Sequence, residues 1–180
     1  MIQMTKVILV LGLLCIFSQL NAQESYSAAT PSVEKSIFSI QGGYFGGWIN
    51  NEFKISNQFS LRTELGIDFT RKFSVEPTWT ELDHQTSINI EPKWYFNLKK
   101  RFDKGRDIRN NAGAYLSLRV NIPTYSSTSS SWISLAPTIG LRRNIGAHFH
   151  IEGSAGFSMY HYNDVFLVEG VPSFRLGYTL

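Results

Sequence analysis

The chain has 180 residues, 43% of them hydrophobic and 17% charged, with a formal net charge of +3 at pH 7. That length suits one domain, and the modest charge, mostly basic residues interleaved with acidic ones and without a stacking motif, argues against nucleic acid as a partner. The only cysteine is Cys15, so the chain beyond it can form no internal disulfide and no cysteine-ligated metal site.

Residues 1–22 have the layout of a secretory signal peptide. Lys6 provides a positive start, Val7 to Phe17 is an unbroken apolar run, and Ala22 is a small residue suited to cleavage; the run is too short to span a bilayer as a helix. A lipoprotein anchored at Cys15 is the rival reading, disfavoured because Leu14 stands where a small residue is needed. Residues 23–35 are expected to be a flexible N-terminal segment ahead of a single domain over 36–180. No later apolar run reaches the ~20 residues of a membrane helix, so any span must be built from strands.

From Ser36 to Ile55 the apolar face changes phase. Phe38 and Ile40 place it on even numbers, whereas Phe45, Ile49, Phe53 and Ile55 place it on odd ones. The change falls near Gly42-Gly43 and implies a tight turn or a bulge, because a one-residue shift exchanges the faces. A turn gives eight strands in all; a bulge gives seven, or leaves an unrecognised strand before Ser36.

Strict alternation follows. In "FSLRTELGIDF", Phe59, Leu61, Leu65, Ile67 and Phe69 oppose Ser60, Arg62, Glu64 and Asp68; in "INIEPKWYFNL", Ile88, Ile90, Trp94 and Phe96 oppose Asn89, Glu91, Lys93 and Tyr95. "AYLSLRVNI" sets Leu116 and Leu118 against Tyr115 and Arg119. "WISLAPTIGLR" sets Leu135 and Ile139 against Thr138 and Arg142. "HFHIEGSAGFSMY" sets Phe149, Ile151 and Phe157 against His148, His150 and Glu152. "VPSFRLGYTL" sets Phe174, Leu176, Tyr178 and Leu180 against Ser173 and Arg175. Side chains alternate across a strand, so each segment has one apolar and one polar face.

The connections differ in length. Those at Ser56-Asn57-Gln58 and Asn144-Ile145-Gly146 are short, and those over Arg71–His84, Pro123–Ser131 and His161–Gly170 are longer. Tight turns at one end and long loops at the other suit an outer-membrane barrel. The connection from Lys99 to Asn111 is long, although this parity puts it among the tight turns.

A soluble barrel with an apolar interior would alternate in the same way. Three features favour an all-β, up-and-down antiparallel transmembrane barrel. The apolar faces carry essentially no charge, as lipid requires, since Arg or Lys facing the bilayer midplane costs ~2–4 kcal/mol. Aromatics on those faces, such as Trp94, Phe96, Phe149 and Tyr178, sit towards strand ends, as in interfacial girdles. The apolar alternation at 172, 174, 176, 178 and 180 suits the C-terminal signal read by the barrel assembly machinery, although such signals usually end in Phe.

The stretches "NEFKISNQFSLRTELGID", "EPKWYFNLKKR", "NNAGAYLSL" and "PTIGLRRNIG" resemble a group of uncharacterised outer-membrane β-barrel proteins from Bacteroidota, over about Gln41 to Gly146. The resemblance implies a cell outer-membrane barrel in contact with outer-membrane lipids, and it brings no catalytic residues, cofactor or protein partner with it.

The polar faces hold Glu52, Lys54, Arg62, Glu64, Asp68, Glu91, Lys93, Arg119, Arg142, Glu152 and Arg175. Near-balance of opposite charges favours a paired network in a narrow lumen over an ion-conducting pore, because an eight-stranded barrel is about wide enough for side chains to fill. His148, His150 and Glu152 could hold a metal, but polar residues are ordinary where a strand begins after a turn, and no metal site is assigned. His161, with Ser158 and Asp164 near it, is the candidate for a rim lipid A or phospholipid hydrolase; no serine stands beside the histidine in "MYHYND", and no catalytic set is assigned. Trp79, Tyr162 and Phe166 in the long loops are the candidate binding residues, because a barrel does not itself need them. The remaining function classes are a structural or binding outer-membrane protein, the rim hydrolase, and a soluble secreted lipid-binding barrel.

Overall fold

The computed structural model describes residues 30–71, 82–126, 132–162 and 165–180. The expected signal peptide, most of the Arg71–His84 loop with Trp79, and most of the serine-rich loop after Tyr125 lie outside the described residues. The strands are β1 (Ser36–Gly43), β2 (Gly46–Lys54), β3 (Phe59–Arg71), β4 (Leu82–Trp94), β5 (Ala114–Ser126), β6 (Ser134–Ile145), β7 (Phe149–Tyr162), β8 (Val165–Gly170) and β9 (Ser173–Thr179). Each of β1 to β7 pairs antiparallel with its neighbour in sequence, and β9 pairs with both β7 and β1. The result is a closed eight-stranded up-and-down barrel, with β8 as an additional strand beside β7.

The phase change near Gly42-Gly43 is a turn. Gly42 faces Gly47 and Gly43 faces Gly46 across a two-residue connection, Tyr44-Phe45. Gly46 is required here: its φ is +152°, and a Cβ would lie 2.1 Å from the Ile67 carbonyl oxygen. This turn makes the count eight.

The segment His161–Gly170, expected as a loop, is instead mostly strand. β7 continues to Tyr162 and β8 returns along it. The register against β7 runs unbroken from Tyr162↔Val165 through Phe157↔Gly170 and Ser154↔Ser173 to Phe149↔Tyr178. β8 and β9 thus follow one ladder, interrupted at Val171-Pro172, and the Val171 amide still donates to the Gly156 carbonyl at 2.9 Å. Proline has no N–H to give such a ladder. β1 pairs β9 only as far as Gly43↔Arg175, so the β7–β8 hairpin rises past the low β1–β2 turn.

Burial is reversed relative to a soluble barrel. The buried set is dominated by Gln41, Asn50, Glu52, Arg62, Glu91, Lys93, Arg142 and Glu152, while Leu65 is 62% exposed, Ile139 55%, Phe157 63% and Phe174 64%. The outward belt ends in aromatic contacts on the side of the barrel that bears Leu180, called the lower end below. Phe59 stacks on Trp94 with centroids 6.1 Å apart, Trp94 meets Phe96 edge-on at 5.9 Å, and Phe149 meets Tyr178 at 5.1 Å. Strands β3 to β7 run 12 to 14 residues, longer than the ~9–11 that cross a bilayer.

The long connection between β4 and β5 closes the lower end. It contains the helix α1 (Leu98–Asp103) and a 3-10 turn, Arg109–Asn111. Leu98 packs with Val33, Tyr95 and Tyr115 in a small buried cluster. Asn110 and Asn111 both have positive φ, 51° and 56°, a conformation that Asn tolerates better than most residues. Of the N-terminal segment expected to be flexible, residues 30–35 are described, and they are tied down: the Val33 amide donates to the Asn57 carbonyl at 2.9 Å, and the Glu34 amide to Asn111 Oδ1 at 2.8 Å.

Candidate functional site: the lumen

Two cross-strand ladders of charge build the lumen. On β2, β3 and β4, Glu52 lies opposite Arg62, and Arg62 opposite Glu91. On β6, β7 and β9, Arg142 lies opposite Glu152, and Glu152 opposite Arg175. Directly opposed residues on one face of a sheet are close neighbours, so this order sets each charge beside its opposite.

The ladders also meet across the barrel. Arg62 Nη2 reaches Glu152 at 2.6 Å and Glu52 at 3.4 Å, and Arg142 Nη2 reaches the same two carboxylates at 2.7 and 3.0 Å. Lys93 Nζ bonds Glu152 at 2.8 Å and sits 3.9 Å from the Tyr115 ring centre. Hydroxyls and amides complete the shells. Glu52 accepts from Ser60, Tyr95 and Asn111 at 2.8, 2.8 and 2.7 Å. Glu152 accepts from Tyr115 at 2.5 Å and Gln41 at 3.2 Å. Buried ions persist where opposite charges and hydrogen bonds compensate lost hydration, and these two carboxylates have both.

The other charged residues named from sequence lie around this centre. Arg119 reaches Glu91 at 3.4 Å, and Glu91 also accepts from Ser117 at 2.7 Å. Nearer the upper rim, Arg175 pairs with Glu64 at 2.6 Å and lies 3.8 Å from the centre of the Trp48 ring. Asp68 is half-buried and accepts from Trp48 Nε1 at 3.1 Å and from Ser87 at 2.8 Å. Lys54 is exposed and stands outside the network. The inward set therefore holds Arg62, Lys93, Arg119, Arg142 and Arg175 against Glu52, Glu64, Asp68, Glu91 and Glu152.

Glycines set where the large inward side chains lie. Gly66 is opposite Trp48, and Gly140 opposite Tyr115. A Cβ on Gly66 would come within 2.1 Å of the indole, and one on Gly140 within 2.2 Å of the phenol ring. The missing side chain is the space that the aromatic fills.

The other candidates do not converge. His150 is buried and contacts Gln41 at 2.9 Å and Thr179 at 3.2 Å, whereas His148 is exposed and stacks on Tyr178. Among the described residues, no three His, Cys, Asp or Glu side chains are grouped to hold a metal. Ser158 and His161 are three positions apart on β7, an odd spacing that sends them to opposite faces; Asp164 lies outside the described residues. Phe166 is 63% exposed on β8, and the Tyr162 side chain lies outside the described residues. Sequence reasoning did not single out Gln41, Asn111 or Tyr95 as network members. Tyr95 lay on the polar face of its strand, which was the available signal; Asn111 gave none, because it reaches Glu52 from the β4–β5 connection.

No protein-family model matches the chain, and no curated protein matches it. A solved structure that is similar is that of the outer membrane protein AlkL, determined by solid-state NMR in DMPC lipid bilayers. It shares 11% identity over 88% of this chain and 96% of its own, with a TM-score of 0.41. The barrel assignment rests on the strand pairing itself.

Proposed function

We propose that the protein is a small barrel of the cell outer membrane with a structural or binding role, its lumen closed by the ion-paired network. The reversal of burial carries this reading. A belt of Leu65, Ile139, Phe157 and Phe174 faces outward while Glu52, Arg62 and Glu152 are buried, an arrangement that suits lipid outside and opposes stability in water. The resemblance to barrels of Bacteroidota supports the same placement, with outer-membrane lipids and the barrel assembly machinery as the natural partners. Recognition, in this reading, belongs to the upper rim, where Phe166 is exposed on the β7–β8 hairpin. Membrane fractionation and heat-modifiable gel migration test the placement; a soluble monomer in the periplasmic fraction would overturn it. Stable ohmic currents from the protein in planar bilayers would overturn the closed lumen.

The rim-hydrolase reading is weaker because Ser158 and His161 occupy opposite faces of β7. Incubation with lipid A and phospholipids, followed by mass spectrometry, separates the two readings. Turnover that disappears in His161→Ala would favour the enzyme.

A further inference from the structure

The basic cluster after Trp94 does more than end a strand. Lys100, Arg101, Lys104 and Arg106 of the β4–β5 connection, with Arg143 of β6, line a pocket of about 360 Å³ at the lower end, together with Phe96 and Asn97. Among the described residues, no carboxylate lines it. The nearby acids are engaged elsewhere: Asp103 pairs with Lys99 at 3.1 Å, and Asp107 with Arg109 at 3.0 Å, while Asn144 donates to Asp107 at 2.9 Å. Arg101 is only 8% exposed, and although its Nη2 donates to the Asp107 carbonyl at 2.6 Å, its Nε has no hydrogen-bond partner among the described residues. Burial, and then the neighbouring charge of Arg106, push the Arg101 guanidinium below its usual range, against a smaller opposing pull from Asp107.

Gathering five cations around one pocket costs repulsion, and leaving a buried guanidinium N–H without an acceptor costs more. A phosphate group in the pocket would relieve the repulsion. Guanidinium groups bind phosphate oxygens in matched geometry, and lysine adds point charge. The surroundings favour a phosphate carried by a lipid. Phe96 is 42% exposed and Phe102 46%, and Trp94 stands beside Phe96 in the aromatic contacts that end the apolar belt. A headgroup in the pocket would have its acyl chains along that belt. We propose that this pocket binds the phosphate headgroup of an anionic phospholipid in the leaflet at the lower end of the barrel, an inference that rests on the membrane placement above.

The full chain would be reconstituted in vesicles of phosphatidylcholine alone and in vesicles also containing phosphatidylglycerol. The midpoint of the heat-modifiable transition would be read in each. The anionic lipid is expected to raise the midpoint by about 5 °C. The variant K100Q/K104Q/R106Q should migrate as a folded barrel and lose that rise. The control K35Q/K54Q removes two exposed cations that do not line the pocket, and it should keep the rise. Equal midpoints for the unmodified protein in both vesicles, or an undiminished rise in the triple variant, would overturn the proposal. Equal loss in the control would replace the pocket by diffuse surface charge, and the same rise from inorganic phosphate in phosphatidylcholine vesicles would replace the lipid by a soluble anion. Failure to form a heat-modifiable band in any vesicle would instead refute the membrane barrel.

Discussion

Replacing Glu152 by glutamine keeps volume and removes one charge from the centre of the lumen. Glu152 is 3% exposed, bonds Arg62, Arg142 and Lys93 at 2.6, 2.7 and 2.8 Å, and accepts from Tyr115 and Gln41. The substitution leaves Lys93 with Glu91 at 3.7 Å and Arg142 with Glu52 at 3.0 Å. Three buried cations would then share the remaining carboxylates. Removing one partner of a buried pair costs ~3–5 kcal/mol, a large share of the ~5–15 kcal/mol that typically separates folded from unfolded protein. The expected result is therefore a loss of about 3–5 kcal/mol, measured by urea titration of the folded band in vesicles. A double change, Glu152→Gln with Lys93→Met, should recover part of the loss, since it removes one of the stranded cations. A loss below about 1 kcal/mol, within the range of exposed pairs, would mean that the lumen is well hydrated and would refute the dry, paired network.

Three further outcomes follow from the geometry. Gly140→Val forces the Tyr115 ring away from Glu152, and should cost about 1–3 kcal/mol as overpacking; Tyr115→Ala in the same chain should recover part of it, read by the same titration. Asn111→Ala gives up its bonds to Glu52 and to the Glu34 amide and places Ala at φ 56°, so it should destabilise by about 2–4 kcal/mol, whereas Asn111→Gly should lose less because glycine accepts that backbone. Asp107, in the lower-end connection, is held below the usual carboxylate range first by hydrogen bonds from Arg109, against a smaller opposing effect of burial. A lowered folded value means that its stabilisation is fully present above the unfolded carboxylate range and is lost as pH falls towards the folded value. The effect is small because Asp107 is largely open to solvent, and acid titration should show a shallower fall in stability for Asp107→Asn than for the unmodified protein.

The barrel wall was legible because alternation is a local signal that every wall strand obeys. Arg62, Glu91 and Glu152 could be assigned to the interior from parity alone. What parity withholds is register. It does not say that Arg62 lies between Glu52 and Glu91, nor that Gly66 faces Trp48 and Gly140 faces Tyr115. A lumen-facing glycine within a strand was a usable hint, but its partner is known only once two strands are aligned. The β4–β5 connection gave less. Its helix has six residues, too short for periodicity to be read and too short to be stable alone; Leu98 fixes it through contacts with Val33, Tyr95 and Tyr115, which lie far apart in sequence. The β7–β8 hairpin reads as a loop because Gly170 and Pro172 punctuate the pattern, although the same register against β7 holds on both sides of Val171-Pro172.

The two ends of the barrel consequently differ in kind. At the lower end, Asn111 enters the network at Glu52, and Arg142 donates to the Asn110 carbonyl at 3.0 Å, so the connection that covers the opening is bonded to the same charges that fill the lumen. Loosening one should loosen the other. At the upper rim the charges thin out to Glu64 with Arg175 and to Asp68 with Trp48 and Ser87, and strands of unequal height leave Phe166 exposed above the β1–β2 turn. A lumen filled in this way is the basis of the proposed closed interior, and that proposal leaves recognition to the rims: to the basic pocket below, and to the exposed Phe166 above.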